Sequence, residues 1–246
     1  MPPARPPPTS SRTTDDMTSL ALALEMGSSG ASPWTPASLG ASVLLDASFG
    51  GANFAPNLGS GGTGYNARYG STTGADSNDP LLVPHAGMNY LRFVGDLGSN
   101  YASTASSAAL NITGDLELVC LAYLDDWTPS TVQMFGGRTA GDPNNAWQFR
   151  VESSGVLRLN FYPLGTSASG VAVNSTVAPT IADGSWLWVK FTLDVDNGAS
   201  GNTTTFYTAP FTGSAVEPSL SSFTQLGAPI VNAGVTSLPV VTANLG

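Results

Sequence analysis

Between Trp186 and Thr208 the chain reads "WLWVKFTLDVDNGASGNTTTFYT", and its first half alternates without a break. Leu187, Val189, Phe191, Leu193 and Val195 fall on one side, while Lys190, Thr192, Asp194 and Asp196 fall on the other. A period of two belongs to a strand with one face in a core and the other in water. The run breaks at Asn197-Gly198-Ala199-Ser200-Gly201-Asn202, residue types that tolerate the backbone of a reversal, and a second strand follows.

The same arrangement recurs along the chain. "WQFRVE" sets Trp147, Phe149 and Val151 against Gln148, Arg150 and Glu152. "VLRLNFY" sets Leu157, Leu159 and Phe161 against Arg158, Asn160 and Tyr162. "DLELVCLAYL" is apolar on both faces, which predicts a central strand. Turn signals separate these short runs, and no amphipathic helix of useful length interrupts them. The pattern predicts an all-β, two-sheet antiparallel sandwich with Leu118, Cys120, Phe149, Leu159, Phe191 and Leu193 buried.

Composition narrows the classes of partner. Charged residues are only 10% of the chain, net charge is −9, and Lys190 is the one lysine beside seven scattered arginines. No basic stripe is available to neutralise phosphates, which argues against nucleic acid. No stretch approaches the roughly 18 apolar residues that read as a membrane span. Cys120, alone in an apolar run, reads as a core thiol, and one cysteine permits neither a disulfide framework nor a zinc set.

Residues 1–34 read as an arm and linker, and residues 35–246 as the sandwich domain, with a loop-rich lead-in over 50–89. The arm begins "MPPARPPPTSSRTTDDM", whose Pro/Ser/Thr content predicts a disordered or extended segment. It does not read as a signal peptide, because Asp15 and Asp16 precede the short apolar patch "LALAL". "TSLALALEM" fits either a short strand or a single helical turn.

The order of motifs carries a family resemblance. "LNITGDLELVCLAYLDDWTP", a Gly-flanked strand pair, "STVAPTIADGSWLWVKFTLDVDNGASGNTTTFYT" and "FTQLGAPI" follow one another. "APNLGSGG" and "SNDPLLVPHAGMNYLRFVG" precede them. The run, roughly residues 35–237, resembles the laminin-G-like, concanavalin-A-like jelly-roll domains of tailed-phage virion proteins. It is most similar to the minor tail proteins of actinobacterial phages. The resemblance implies a jelly-roll topology, a place on the tail or head surface of a phage particle, and other virion proteins as partners. It also implies closing strands beyond "TSL", where this chain runs out at "VVTANLG". A bare sheet edge there predicts cover by a neighbouring copy or another virion protein, hence a homo-oligomer or a particle-bound chain.

Enzymatic sites are not legible in the residues. The glutamates are Glu25, Glu117, Glu152 and Glu217, and no two neighbour each other on a strand. A retaining glycosidase needs two carboxyls about 5–5.5 Å apart. The one histidine, His85, has no nucleophile elbow beside it, and "GSGGTG" lacks the lysine of a phosphate loop. No catalytic residue is assigned and no cofactor is required.

Two binding chemistries remain. Asp194, Asp196 and Asn197 are candidate Ca2+ ligands at a sandwich rim, the resemblance implying one calcium in such domains. The same residues suit the chemistry of a tight turn, which ranks ahead of calcium, and Asp142, Asn144 and Asn145 stand likewise. Trp127, Trp147, Tyr162 and Trp188 are candidate platforms for a host-surface glycan, with core or rim packing the competing role for Trp127 and Trp147. A structural virion component is the leading expectation. A lectin-like host-surface adhesin is the alternative, and a glycoside hydrolase comes last.

Overall fold

The computed structural model describes residues 18–21, 23–25, 44–46, 54–55, 62–72, 74–85, 88–93, 100–213 and 218–246. The expected disorder of residues 1–16 lies outside these. In chain order the strands begin with β1 (Thr18–Ala21), β2 (Ala23–Glu25), β3 (Leu44–Asp46), β4 (Phe54–Ala55), β5 (Ala67–Tyr69) and β6 (Leu81–His85). Then come β7 (Met88–Arg92), β8 (Ala102–Ser103), β9 (Leu116–Leu124), β10 (Gln133–Thr139), β11 (Asn145–Val151) and β12 (Leu157–Phe161). The last are β13 (Val171–Asn174), β14 (Ser185–Asp194), β15 (Gly201–Pro210), β16 (Thr224–Gln225) and β17 (Ile230–Ala233). Helical structure among the described residues is limited to short 3-10 turns.

The pairing is antiparallel throughout. One large sheet runs β16-β15-β14-β9-β1-β7-β6, with β17 also on β15, and a four-stranded sheet runs β10-β11-β12-β13. Small sheets, β2-β3 and β4-β5-β8, complete the set. The chain is therefore an all-β sandwich, and β9 is central, as its two apolar faces require. "TSLALALEM" resolves into strands, with β1 held between β9 and β7. This strand of the large sheet lies N-terminal to the expected domain boundary at residue 35.

Alternation decides the core. Leu187, Val189, Phe191 and Leu193 of β14 point inward with Leu116, Leu118, Cys120, Ala122 and Leu124 of β9. Trp147, Phe149 and Val151 of β11, with Leu157, Leu159 and Phe161 of β12, meet them from the other sheet. Phe149 lies at the centre, 5.0 Å from Phe191, 5.1 Å from Phe135 and 6.4 Å from Phe206 between ring centroids. Cys120 is fully buried there, and burial pushes its thiol far above the ordinary range.

The outer face of the large sheet departs from the expected wet face. Val119, Leu121, Trp186, Trp188 and Ala209 form a second buried cluster, flanked by Tyr90, Tyr123, Phe211 and Phe223. Lys190, expected in water, is only 4% exposed. Its Nζ donates to Glu117 Oε1 at 2.9 Å and lies 5.3 Å from the ring centroids of both Tyr207 and Phe223. Aromatic cover desolvates this ammonium, and the carboxylate beside it keeps the charge compensated.

The end of the chain closes a seam. Leu238, Val241, Ala243 and Leu245 are buried, with Thr242 and Asn244 exposed between the last three. Leu245 exchanges both backbone hydrogen bonds with Thr104, and Gly246 exchanges both with Gly137 of β10. Arg138, 1% exposed, fixes the segment from beneath. Its guanidinium donates to the carbonyls of Val241 and Ala243, to that of Leu110, and to Asn111 Oδ1. The tail thus occupies the β10 edge at Gly137.

Candidate functional site

The Asp194-Asp196-Asn197 corner is the reversal between β14 and β15. Asn197 N–H donates to the Gly201 carbonyl at 2.9 Å, and its side-chain amide donates to Thr203 Oγ1 at 3.1 Å. Asn197 Oδ1 accepts Ala199 N–H at 3.0 Å, and Asp196 Oδ1 accepts Gly198 N–H at 3.4 Å. These are side chains standing in for backbone acceptors in a turn. Gly198 and Ser200 adopt positive φ, 73° and 60°. Gly201 is required by contact, since a Cβ there would lie 2.2 Å from the Asn232 carbonyl oxygen on β17. Asp194 and Asp196 remain exposed. Among the described residues no group of three His, Cys, Asp or Glu side chains is placed to hold a metal.

The second polar corner also spends its oxygens on loops. Asp142 Oδ1 accepts from Ser167 N–H at 2.6 Å, Ser167 Oγ at 2.8 Å and Asn145 Nδ2 at 2.8 Å. The Ser167 backbone and hydroxyl donors hold its carboxyl below the usual range. Asn144 Oδ1 accepts Thr242 Oγ1 at 2.8 Å, another tie to the tail. A third carboxylate was not singled out by the sequence. Asp76 gathers the N–H groups of Asn78, Ser71 and Thr72 and the Ser71 hydroxyl. Chiefly through the Asn78 N–H, its pKa falls to about 2.

Of the four aromatic candidates, three lie in packing. Trp127 is 4% exposed and donates Nε1–H to the Ser185 carbonyl at 3.2 Å. Trp147 is buried against Phe191 at 6.2 Å, and Trp188 is buried in the outer cluster. None of these rings has a face open to a sugar. Tyr162 is half-buried, and its hydroxyl donates to Gln148 Oε1 at 3.1 Å on the outer face of the four-stranded sheet.

That face carries a linked set of polar side chains. Strand register sets Gly137, Gln148, Asn160 and Ala172 in one row across the four strands. The next row is Met134, Arg150, Arg158 and Asn174. Gly137 and Ala172 carry almost no side chain, so the Gln148–Asn160 pair is flanked by small residues within its row. Tyr162 stands on one side and the arginines on the other. At about 4.8 Å per strand the row is about 14 Å long. Beyond Tyr162 lies Gly170, where a Cβ would sit 3.0 Å from the tyrosine ring, so glycine lets the ring lie down against the strand.

The groups of this face fix one another. Gln148 Oε1 accepts from Tyr162 and, at 3.5 Å each, from Asn160 Nδ2 and Arg150 Nη1. Glu152 Oε1 accepts Arg150 Nε at 2.7 Å and Arg158 Nη1 at 3.0 Å. Partial burial opposes ionisation of Glu152, but the hydrogen bonds from Arg158 and Arg150 outweigh it and hold the pKa below the ordinary value. The result is a preorganised array of amide, guanidinium, carboxylate and phenol groups. Alternation identified the residues facing outward, but only register shows which stand side by side.

No protein-family model matches the sequence, and no curated protein matches it significantly.

Proposed function

We propose that the chain is a non-enzymatic structural module of a tailed-phage virion, a jelly-roll domain carried on the tail or head surface and held by other virion proteins. The observation that carries the reading is where its motifs fall. "DLELVCLAYL", "SWLWVKFTLD" and "GNTTTFYTAP" are β9, β14 and β15, three adjacent strands of one sheet. Segments that resemble the virion domains as a run thus form one contiguous structural unit. An interior filled by Phe135, Trp147, Phe149, Phe191 and Phe206 suits a rigid display module. Mass spectrometry of purified particles tests this. Peptides of the chain at a fixed ratio to the major capsid protein are expected, with hundreds of copies for a head decoration and a few for a tail tip. Particles free of the chain would end the reading.

A second reading, a lectin-like host-surface adhesin, is favoured by the polar outer face of the four-stranded sheet. Its prearranged donors and acceptors, with Tyr162 alongside, suit hydroxyl-rich ligands.

A further inference from the structure

We infer that the outward strip of Gln148, Arg150 and Arg158 on the four-stranded sheet is a binding site for an acidic polysaccharide, a sugar chain bearing carboxylate groups. The inference rests on the adhesin reading and is independent of where on a particle the chain sits. Arg150 and Arg158 are direct cross-strand partners. Like charges set opposite each other destabilise a sheet. The pair places two of the chain's eight cationic residues side by side on one face. Glu152 supplies one carboxylate between two guanidinium groups, leaving a local excess of one positive charge in a chain whose net charge is −9.

Donor capacity points the same way. Each guanidinium carries five N–H donors. Contacts within the face engage Nε and Nη1 of Arg150 but only Nη1 of Arg158. Nη2 of neither arginine is engaged within the face, and the two side chains are 19% and 26% exposed. A ligand carboxylate suits this unmet capacity, because planar guanidinium forks match carboxylates. Asn160, 9% exposed, helps to hold Gln148 in place, and half-buried Tyr162 offers an aromatic edge to a sugar ring. Mutual hydrogen bonds already restrict these side chains, which lowers the entropy lost on binding.

Affinity electrophoresis of the full chain in native gels containing polygalacturonate, alginate, hyaluronate or neutral dextran is the test. Retardation by at least one acidic polymer and none by dextran is expected. Arg158→Ala and Gln148→Ala should each weaken that retardation about tenfold, the scale of one lost charge-assisted or well-placed hydrogen bond. Arg68→Ala, which removes an equal charge from an exposed position on β5, should leave it unchanged. Circular dichroism and melting temperature identify variants that retain the fold, and Tyr162→Phe, which frees Gln148 Oε1 of one donor, offers a milder second probe expected to weaken retardation less than Gln148→Ala. No retardation by any acidic polymer, equal retardation by dextran, or equal losses in Arg68→Ala and Arg158→Ala would overturn the inference. A chain found on particles but retarded by none of these polymers would remove this site and leave the virion reading standing.

Discussion

Truncating Phe191 to alanine is the sharpest test of the sandwich. The side chain is fully buried, with its ring 5.0 Å from that of Phe149 and 6.2 Å from that of Trp147, both near edge-to-face at 63°. Removing a buried phenyl ring loses its transfer free energy and leaves a cavity, together about 3–5 kcal/mol. Two aromatic contacts across the sheets, each worth roughly 0.5–1.5 kcal/mol beyond burial, put the expected loss in the upper half of that range, about 4–5 kcal/mol. For a chain of this size the melting temperature should fall by about 10–15 °C. Urea unfolding followed by tryptophan fluorescence gives the free energy, and calorimetry gives the temperature. Thr192→Ala is the matched control, one residue along β14 on the opposite face, and should cost less than about 1 kcal/mol. A loss below about 1 kcal/mol at Phe191, or a larger one at Thr192, would refute the face assignment on which the core rests.

Three further outcomes are expected. Arg138→Met leaves the carbonyls of Leu110, Val241 and Ala243 without their buried donor; it should cost at least about 2 kcal/mol and expose residues 238–246 to limited proteolysis, and a tail still protected would break the link to Arg138. Cys120 should resist a thiol reagent in the folded protein and react fully in denaturant, because burial raises its pKa and closes access; rapid labelling of native protein would contradict its place in the core. Asp76 has a folded pKa of about 2 against roughly 3.9 when unfolded, so its contribution to the 70–79 loop is present above about pH 4 and lost as pH falls through 2. Amide shifts of Thr72 and Asn78 should therefore titrate near pH 2; a midpoint near 4 would mean that these hydrogen bonds do not form.

The sequence by itself determined the fold class and the inward faces. Alternation needs no partner to be read, because successive side chains of any strand leave on opposite sides. Leu118, Cys120, Phe149, Leu159, Phe191 and Leu193 are accordingly all buried. The turn chemistry of Asn197 was legible for the same reason, since its hydrogen bonds are local. What the sequence could not determine depends on contacts between residues distant in the chain. Lys190 looked like a wet-face charge, yet Glu117 on a neighbouring strand and Phe223 beyond β15 bury it. Trp188 has the residue type of a sugar platform, but the second cluster on the large sheet encloses it. Arg138 interrupts no pattern, and nothing near it reveals that it will hold residues more than a hundred positions away. The outer face of the four-stranded sheet is the clearest case. Alternation places each of its side chains outward, but the Gln148–Asn160 pair and the opposed Arg150 and Arg158 exist only through cross-strand register, which tertiary structure alone sets.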